Sequence, residues 1–216
     1  MTQIFQRGTD LVVRLAALGV LMVLVTGVLV WHGSLASQAR LRQPVEQPVP
    51  FSHKHHVGEV GLDCRYCHTS VENSSFAGIP PTHTCMTCHS RLFTGAAMLK
   101  PVRDSLSRDR PLHWKAVHDL PDFVYFDHSV HVRQGVGCVT CHGRVDHMPL
   151  TYRTQPLTMR WCLDCHRNPE RYLRPREHVF DMDWQPSGDQ LALGRRLLDT
   201  YHIRTERLTD CSVCHR

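Results

Sequence analysis

All ten cysteines of the 216-residue chain fall into five copies of one pattern, Cys-x-x-Cys-His. The copies are Cys64, Cys67 and His68; Cys85, Cys88 and His89; Cys138, Cys141 and His142; Cys162, Cys165 and His166; and Cys211, Cys214 and His215. Cysteines at i and i+3 share one side of a helical turn. At that spacing both thiols can add to the two vinyl groups of one haem, and the next residue, His, is held against the iron. A single copy would also suit half a zinc site or a redox dithiol. Five copies suit neither, because zinc sites built from cysteine pairs would leave one pair unmatched and would not require a His after each. The pattern therefore predicts five covalently attached haem c groups, with His68, His89, His142, His166 and His215 as proximal iron ligands.

Each iron needs a second ligand, and the chain offers it in a repeated form. Phe51, His53, His56 and Val57 precede the first motif in the order Phe-x-His-x-x-His-Val. Phe126, His128, His131 and Val132 precede the third in the same order. In each case a further Cys-x-x-Cys-His follows, so the chain holds an internal repeat over residues 51–100 and 123–170, two haems in each, with the fifth haem in residues 205–216. Histidines at i and i+3 point to one side at different heights, so each pair can serve two irons. This element followed by Cys-x-x-Cys-His resembles the small class III multihaem cytochromes c. The resemblance implies that His53 caps the haem on Cys64 and Cys67, that His128 caps the haem on Cys138 and Cys141, and that His56 and His131 reach neighbouring haems. The fifth distal ligand is assigned to His118, in an apolar setting beside Asp119, whose carboxylate can orient an imidazole. His55, His83, His113, His147, His178 and His202 are the other histidines available, Met148 and Met159 are the alternatives by methionine, and a Met ligand would raise the potential of its haem.

These motifs have to be carried by short elements. The aromatic content is 7% and the sequence after residue 40 is rich in Pro, Gly and Arg, which suits a loop-rich shell around large apolar cofactors. Residues 189–203 form an amphipathic helix leading into the last motif, with Leu191, Leu197, Leu198 and Tyr201 apolar and Arg195 and Arg196 opposite. Ile79-Pro80-Pro81 and Asn168-Pro169 mark turns.

The N-terminus has another role. Residues 11–31 are apolar apart from Arg14 and reach about 31 Å as a helix, enough to span a bilayer. Trp31 stands at an interfacial position, and Arg7 and Arg14 flank the other end, which keeps the first residues cytoplasmic and sends the rest across. Ser34-Leu35-Ala36 resembles a processing site, so a cleaved signal competes with a retained anchor; the length of the run favours the anchor. The domains expected are an anchor over 1–36, a Pro-rich linker over 37–50 and a haem domain over 51–216, on the periplasmic side of the bacterial cytoplasmic membrane.

The formal charge of +5 does not point to nucleic acid, since about ten haem propionates outweigh about five ferric charges. Arg91, Arg103, Arg108, Arg110 and the arginines of residues 167–176 are candidate propionate partners. No catalytic residue set stands out. All five motifs end in His, unlike the pentahaem nitrite reductases, which place Lys after one Cys-x-x-Cys.

Taken whole, the anchor together with residues 51–68, 78–89, 117–142, 161–176 and 208–216 resembles the membrane-anchored pentahaem cytochrome c subunit of alternative complex III. That resemblance implies a mainly α fold with much irregular structure, a class III-like multihaem domain behind one N-terminal transmembrane helix. It implies an electron-transfer role in a quinol-oxidising respiratory complex, with iron–sulfur and polytopic membrane subunits as partners and a periplasmic carrier or terminal oxidase as acceptor. A self-sufficient membrane-anchored quinol dehydrogenase is the competing reading.

Overall fold

The computed structural model describes the backbone of residues 7–39 and 41–215, and the side chains of residues 9–35 and 41–215. The chain divides into two units, Met1–Leu41 and Arg42–Arg216. The placement expected for the first residues, the side chains of Arg7 and Ala36, and the terminal Arg216 lie outside the described residues.

The first unit is one helix, α1 (Arg7–Ala39). Its stretch Thr9–Leu35, whose most apolar 18 residues have a mean hydropathy of 2.4, is long and apolar enough to cross a membrane, which suits an anchor and a secretory signal equally by length and composition. The Thr26 and Ser34 hydroxyls donate to the carbonyls of Met22 and Trp31, so these polar groups are satisfied within the helix itself. The helix continues past Trp31, and residues 37–39 of the expected linker are helical.

The second unit is built from short helices separated by turns. No strand occurs among the described residues, and two isolated antiparallel bridges, Val124 with His215 and Val136 with Leu173, are its only β pairing there. A π-helical turn, Lys54–Glu59, follows His53. The first motif is α2 (Cys64–Cys67), and the second closes α3 (Thr82–His89). Packed on α3 is α4 (Lys100–Ser107), which buries Val102 and Ser105 and brings Ser105 Oγ 2.6 Å from Thr82 Oγ1. Next come α5 (His128–Arg133), α6 (Cys138–His142), α7 (Met159–Arg167), α8 (Gln190–Thr200) and α9 (Cys211–Cys214).

Local chemistry explains where several of these begin. The side chains of Asp63, Asp127, Thr158 and Asp189 accept from backbone N–H groups in the first turns of α2, α5, α7 and α8, the ordinary action of an N-cap residue. Pro81 stands just before α3, and Asn168-Pro169 ends α7 in a 3₁₀ turn, Pro169–Arg171. The helix read from residues 189–203 is α8. It lies against that 3₁₀ turn so closely that a Cβ at Gly194 would stand 1.9 Å from the Glu170 carbonyl oxygen. Gln190 Nε2 donates to the carbonyls of Glu170 and Leu173 at the same junction.

The protein core is small. Met148, Leu173 and Val179 are almost fully buried, joined by Val49, Val71, Val102, Met182 and Leu197. That is little apolar packing for a unit of this size, as expected where large cofactors complete the interior.

Candidate haem-binding site

In four cases the histidine of a Cys-x-x-Cys-His motif faces a second histidine ring. The centroids of His53 and His68 are 6.5 Å apart at an interplanar angle of 7°, and those of His128 and His142 are 6.3 Å apart at 16°. His56 and His89 are separated by 6.2 Å at 70°, and His131 and His166 by 6.2 Å at 30°. With metal–nitrogen bonds of about 2 Å and a ring nitrogen roughly 1.1 Å from its ring centre, two imidazoles on one iron place their centroids about 6.2 Å apart. The four pairs have that separation. The two thiols that precede each motif histidine lie within one helical turn, the spacing that thioether attachment requires.

The hydrogen bonds fix which nitrogen each ring presents. Nδ1 of His56 donates to the Ser52 carbonyl (2.8 Å), and that of His131 to the Asp127 carbonyl (2.7 Å). Nδ1 of His128 donates to the Ser75 carbonyl (2.8 Å), that of His68 to Gly78 (2.7 Å), that of His89 to Leu92 (3.2 Å) and that of His166 to Leu208 (2.7 Å). His53 Nδ1 bonds the Thr151 hydroxyl at 2.9 Å. A carbonyl can only accept, so each of those bonds places the proton on Nδ1 and leaves the Nε2 lone pair for a metal. Phe51 and Phe126 wedge their histidine pairs alike. Each lies edge-on to the first ring, at 4.9 and 4.8 Å, and is stacked at 4.5 Å on the second.

Burial sets the charge states. It holds His53 down to about 4 and His142 down to about 3, and lowers His131 as well, so these imidazoles are neutral at pH 7 as ligation requires. Burial pushes Cys138 and Cys141 up to about 12 and Cys165 up to about 11, and raises Cys64, Cys67, Cys85 and Cys162. A redox dithiol needs the opposite shift, a stabilised thiolate.

Thiols of different motifs also act on one another. Beside burial, Cys85 raises Cys67, Cys64 raises Cys138, Cys165 raises Cys141 and Cys214 raises Cys162. The Tyr66 hydroxyl meets Thr87 Oγ1 at 2.8 Å between the first two motifs. Cys88, in the second motif, and Cys211, in the fifth, are exposed.

The fifth motif is arranged differently. Nδ1 of His215 lies 3.2 Å from the Phe123 carbonyl, and the Phe123 ring lies 6.0 Å from that of His215. The His118 ring sits 4.3 Å from that of His142 at 69°, a closer and steeper contact than the four pairs above. Its Nε2 is buried and has no hydrogen-bond partner among the described residues. Of the alternatives, Met148 is in the core with 2% exposure, and Met159 is exposed.

Sequence reasoning did not anticipate Thr151, Ser75 or Gly78. A signal for part of this was present. Ser74 and Met148 stand at the same offset from Cys64 and Cys138, and each carbonyl accepts from the backbone N–H just after the other module's distal histidine, from Ser129 (3.1 Å) and Lys54 (3.0 Å).

Helical motifs with no sheet among the described residues, paired histidines and paired thiols define a multihaem c-type cytochrome. Residues 124–216 match the family of cytochrome c7 and related cytochrome c. Over 173 residues, 79% of this chain and 68% of the relative, the sequence is 31% identical to "Menaquinone reductase, multiheme cytochrome c subunit" of Nitratidesulfovibrio vulgaris. The chain belongs to this family of multihaem cytochromes c, and its work is electron transfer.

Proposed function

We propose that this chain carries five covalent haems and serves as the electron-transfer subunit of a quinol-oxidising membrane complex of the alternative complex III kind. Thioethers from Cys64 and Cys67, Cys85 and Cys88, Cys138 and Cys141, Cys162 and Cys165, and Cys211 and Cys214 hold the haems. His68, His89, His142, His166 and His215 are the proximal ligands, with His53, His56, His128 and His131 opposite the first four in the pairs described above. The observation that carries this reading is the four histidine pairs at 6.2 to 6.5 Å. His118, with its buried and unpartnered Nε2, is the ligand offered to the fifth iron.

The haems supply one-electron Fe(III)/Fe(II) chemistry. The chain's own residues decide how they are held. Nδ1–H bonds to backbone carbonyls orient six of the eight paired imidazoles and raise their basicity, and the Phe51 and Phe126 wedges lock the distal rings. The exposed cysteines of the second and fifth motifs mark two places for exchange with partners. In this reading α1 is retained as a single-pass anchor in the bacterial cytoplasmic membrane and the haem domain lies on the periplasmic side. Iron–sulfur and polytopic subunits are its neighbours, and a periplasmic carrier or terminal oxidase is its acceptor. The relative's name, a menaquinone reductase subunit, supports a quinone-linked complex.

The test is a mild-detergent native gel of membranes, stained for haem, with mass spectrometry of the stained band and a haem-to-protein ratio on the isolated chain. Haem in a band of several subunits that includes an iron–sulfur protein, at five haems per chain, is the expected result. Haem only at the size of this chain or its dimer would refute the complex and favour a self-sufficient quinol dehydrogenase.

A further inference from the structure

The ten residues after the first motif form a loop that touches two irons' ligands at once. The Gly78 carbonyl accepts from Nδ1 of His68, the proximal ligand of the first motif, at 2.7 Å. Three residues earlier, the Ser75 carbonyl accepts from Nδ1 of His128, the distal ligand of the third motif, at 2.8 Å, and from its backbone N–H at 3.2 Å. The Ser74 carbonyl takes the next N–H, that of Ser129, which is buried. One short segment thus positions an imidazole in each of two modules.

The segment is internally braced, so its two carbonyls are not independent. The Ser70 carbonyl accepts from the N–H groups of Asn73 and Ser74, Ser70 Oγ donates to the Phe76 carbonyl at 2.8 Å, and Ser74 Oγ accepts from the Phe76 N–H at 3.3 Å. Gly78 has φ +87°, which L side chains rarely adopt, and a Cβ there would stand 2.9 Å from Ser70 Oγ. Crowding at Gly78 therefore acts on Ser70 Oγ, through it on the Phe76 carbonyl, and so on the adjoining Ser75 peptide.

The counterpart loop of the second module lacks this double reach. It holds His53 through Thr151 Oγ1 and Lys54 N–H through the Met148 carbonyl. The ring beside its own proximal ligand, His142, is that of His118.

We infer that the Ser70–Gly78 loop is a joint positioning element, coupling the potentials of the haems on the first and third motifs by holding His68 and His128 from one braced backbone. The inference rests on the ligand pairs proposed above. An Nδ1–H bond to a carbonyl gives an imidazole more anionic character and favours the ferric state, so loosening the loop should raise both potentials together.

The test is a spectroelectrochemical titration of the full haem-loaded chain, with the low-spin g values of each haem followed by electron paramagnetic resonance. His68→Met and His128→Met first mark the two haems by their altered ligand sets. In the otherwise unaltered chain, Gly78→Ala is then expected to shift both haems so identified upward and leave the other three in place. Ser70→Ala, which leaves the Gly78 backbone unstrained, is expected to move the same two by less, and it decides the matter where Gly78→Ala fails to accumulate. A shift confined to the His68-marked haem, or an equal shift of all five, would overturn the coupling. If His68→Met and His128→Met alter no haem spectrum, the ligand assignment itself falls, a separate result from failure of the coupling.

Discussion

The two repeats of the haem domain use the same parts in different surroundings. Phe51 with His53 and His56 matches Phe126 with His128 and His131 to within a few tenths of an ångström in ring spacing, and the first-motif pairs match as closely, at 6.5 and 6.3 Å. The surroundings differ. Burial drives Cys138 and Cys141 up to about 12, while Cys64 and Cys67 are raised from a more open site with Cys88 exposed nearby. With the ligand pairs proposed above, the repeat fixes the geometry of ligation, and burial is left free to separate the potentials. A drier site disfavours the more highly charged ferric state. The haem on the third motif should accordingly have a higher potential than the haem on the first.

The ligand pairs offer the strongest way to break this comparison. Replacing His56 or His131 by Ala removes one ring of a pair at the same 6.2 Å spacing. Each variant should gain one carbon-monoxide-binding haem after reduction. The potential of that haem should rise by about 0.2 V, roughly 5 kcal/mol per electron and a fraction of the about 0.8 V that axial ligands span. No change in carbon monoxide binding in either variant would remove both histidines from the ligand set. In the unaltered protein the 70° ring angle of His56 and His89, against 30° for His131 and His166, should give the second-motif haem the larger low-spin g anisotropy.

A second difference lies outside the repeat. The second module is buttressed by α8, which reaches Glu170 at a distance only Gly194 allows. Gly194→Ala must push backbone away from backbone, and overpacking of this kind costs about 1–3 kcal/mol. Thermal unfolding followed in the Soret band should show a lowered midpoint, with the haems of the second module losing their distal histidines before those of the first. Loss of distal ligation at all haems together would show that the modules unfold as one.

How much of this was legible in the sequence follows from how local each feature is. The five motifs, the Phe-x-His-x-x-His elements and the helix beginning after Asp189 are fixed by spacings of a few residues, so they could be read directly. The Pro-rich stretch was read as starting too early, because the apolar pattern ends near Trp31 while α1 continues to Ala39. The bonds that lock the rings join residues far apart in the chain, His128 to Ser75 and His53 to Thr151, and nothing in residue type marks a backbone carbonyl as an acceptor. His118 shows the same limit. Its apolar neighbourhood was visible, but its place beside His142 is a product of tertiary packing.

A smaller effect sharpens the contrast in burial. Glu72 and Asp146 stand at the same offset from Cys64 and Cys138, and each faces an arginine. Glu72 meets Arg65 at 3.8 Å with both side chains near half exposed, whereas Asp146 is 8% exposed and meets Arg144 at 2.6 Å. Hydrogen bonds from Arg144 hold the Asp146 carboxyl below its ordinary range, against the opposing effect of desolvation. A carboxyl lowered in the folded state stabilises the fold at pH values above its unfolded value, near 4, and that contribution is lost as pH falls through the folded value. Asp146→Asn should therefore cost about 2 kcal/mol at pH 7 and progressively less below pH 4. Glu72→Gln should stay within about 0.5 kcal/mol throughout. Equal costs in denaturant titrations at pH 7 would mean that the two modules do not differ in burial at this position.

The smallest effect tests the shared geometry instead. Phe51→Leu and Phe126→Leu each remove a ring stacked at 4.5 Å on one distal histidine and edge-on to the other. Aromatic pairs of this kind contribute about 0.5–1.5 kcal/mol beyond the area they bury. The two losses should be nearly equal, since the wedge is built alike in both modules and both phenylalanines are half-buried. Each substitution frees two rings that belong to different haems. The electron paramagnetic resonance lines of the first and second haems should therefore broaden together in Phe51→Leu, and those of the third and fourth in Phe126→Leu. Broadening of one haem alone would mean that a single histidine depends on the wedge, and that the i, i+3 pair is held at its other end by its backbone hydrogen bonds.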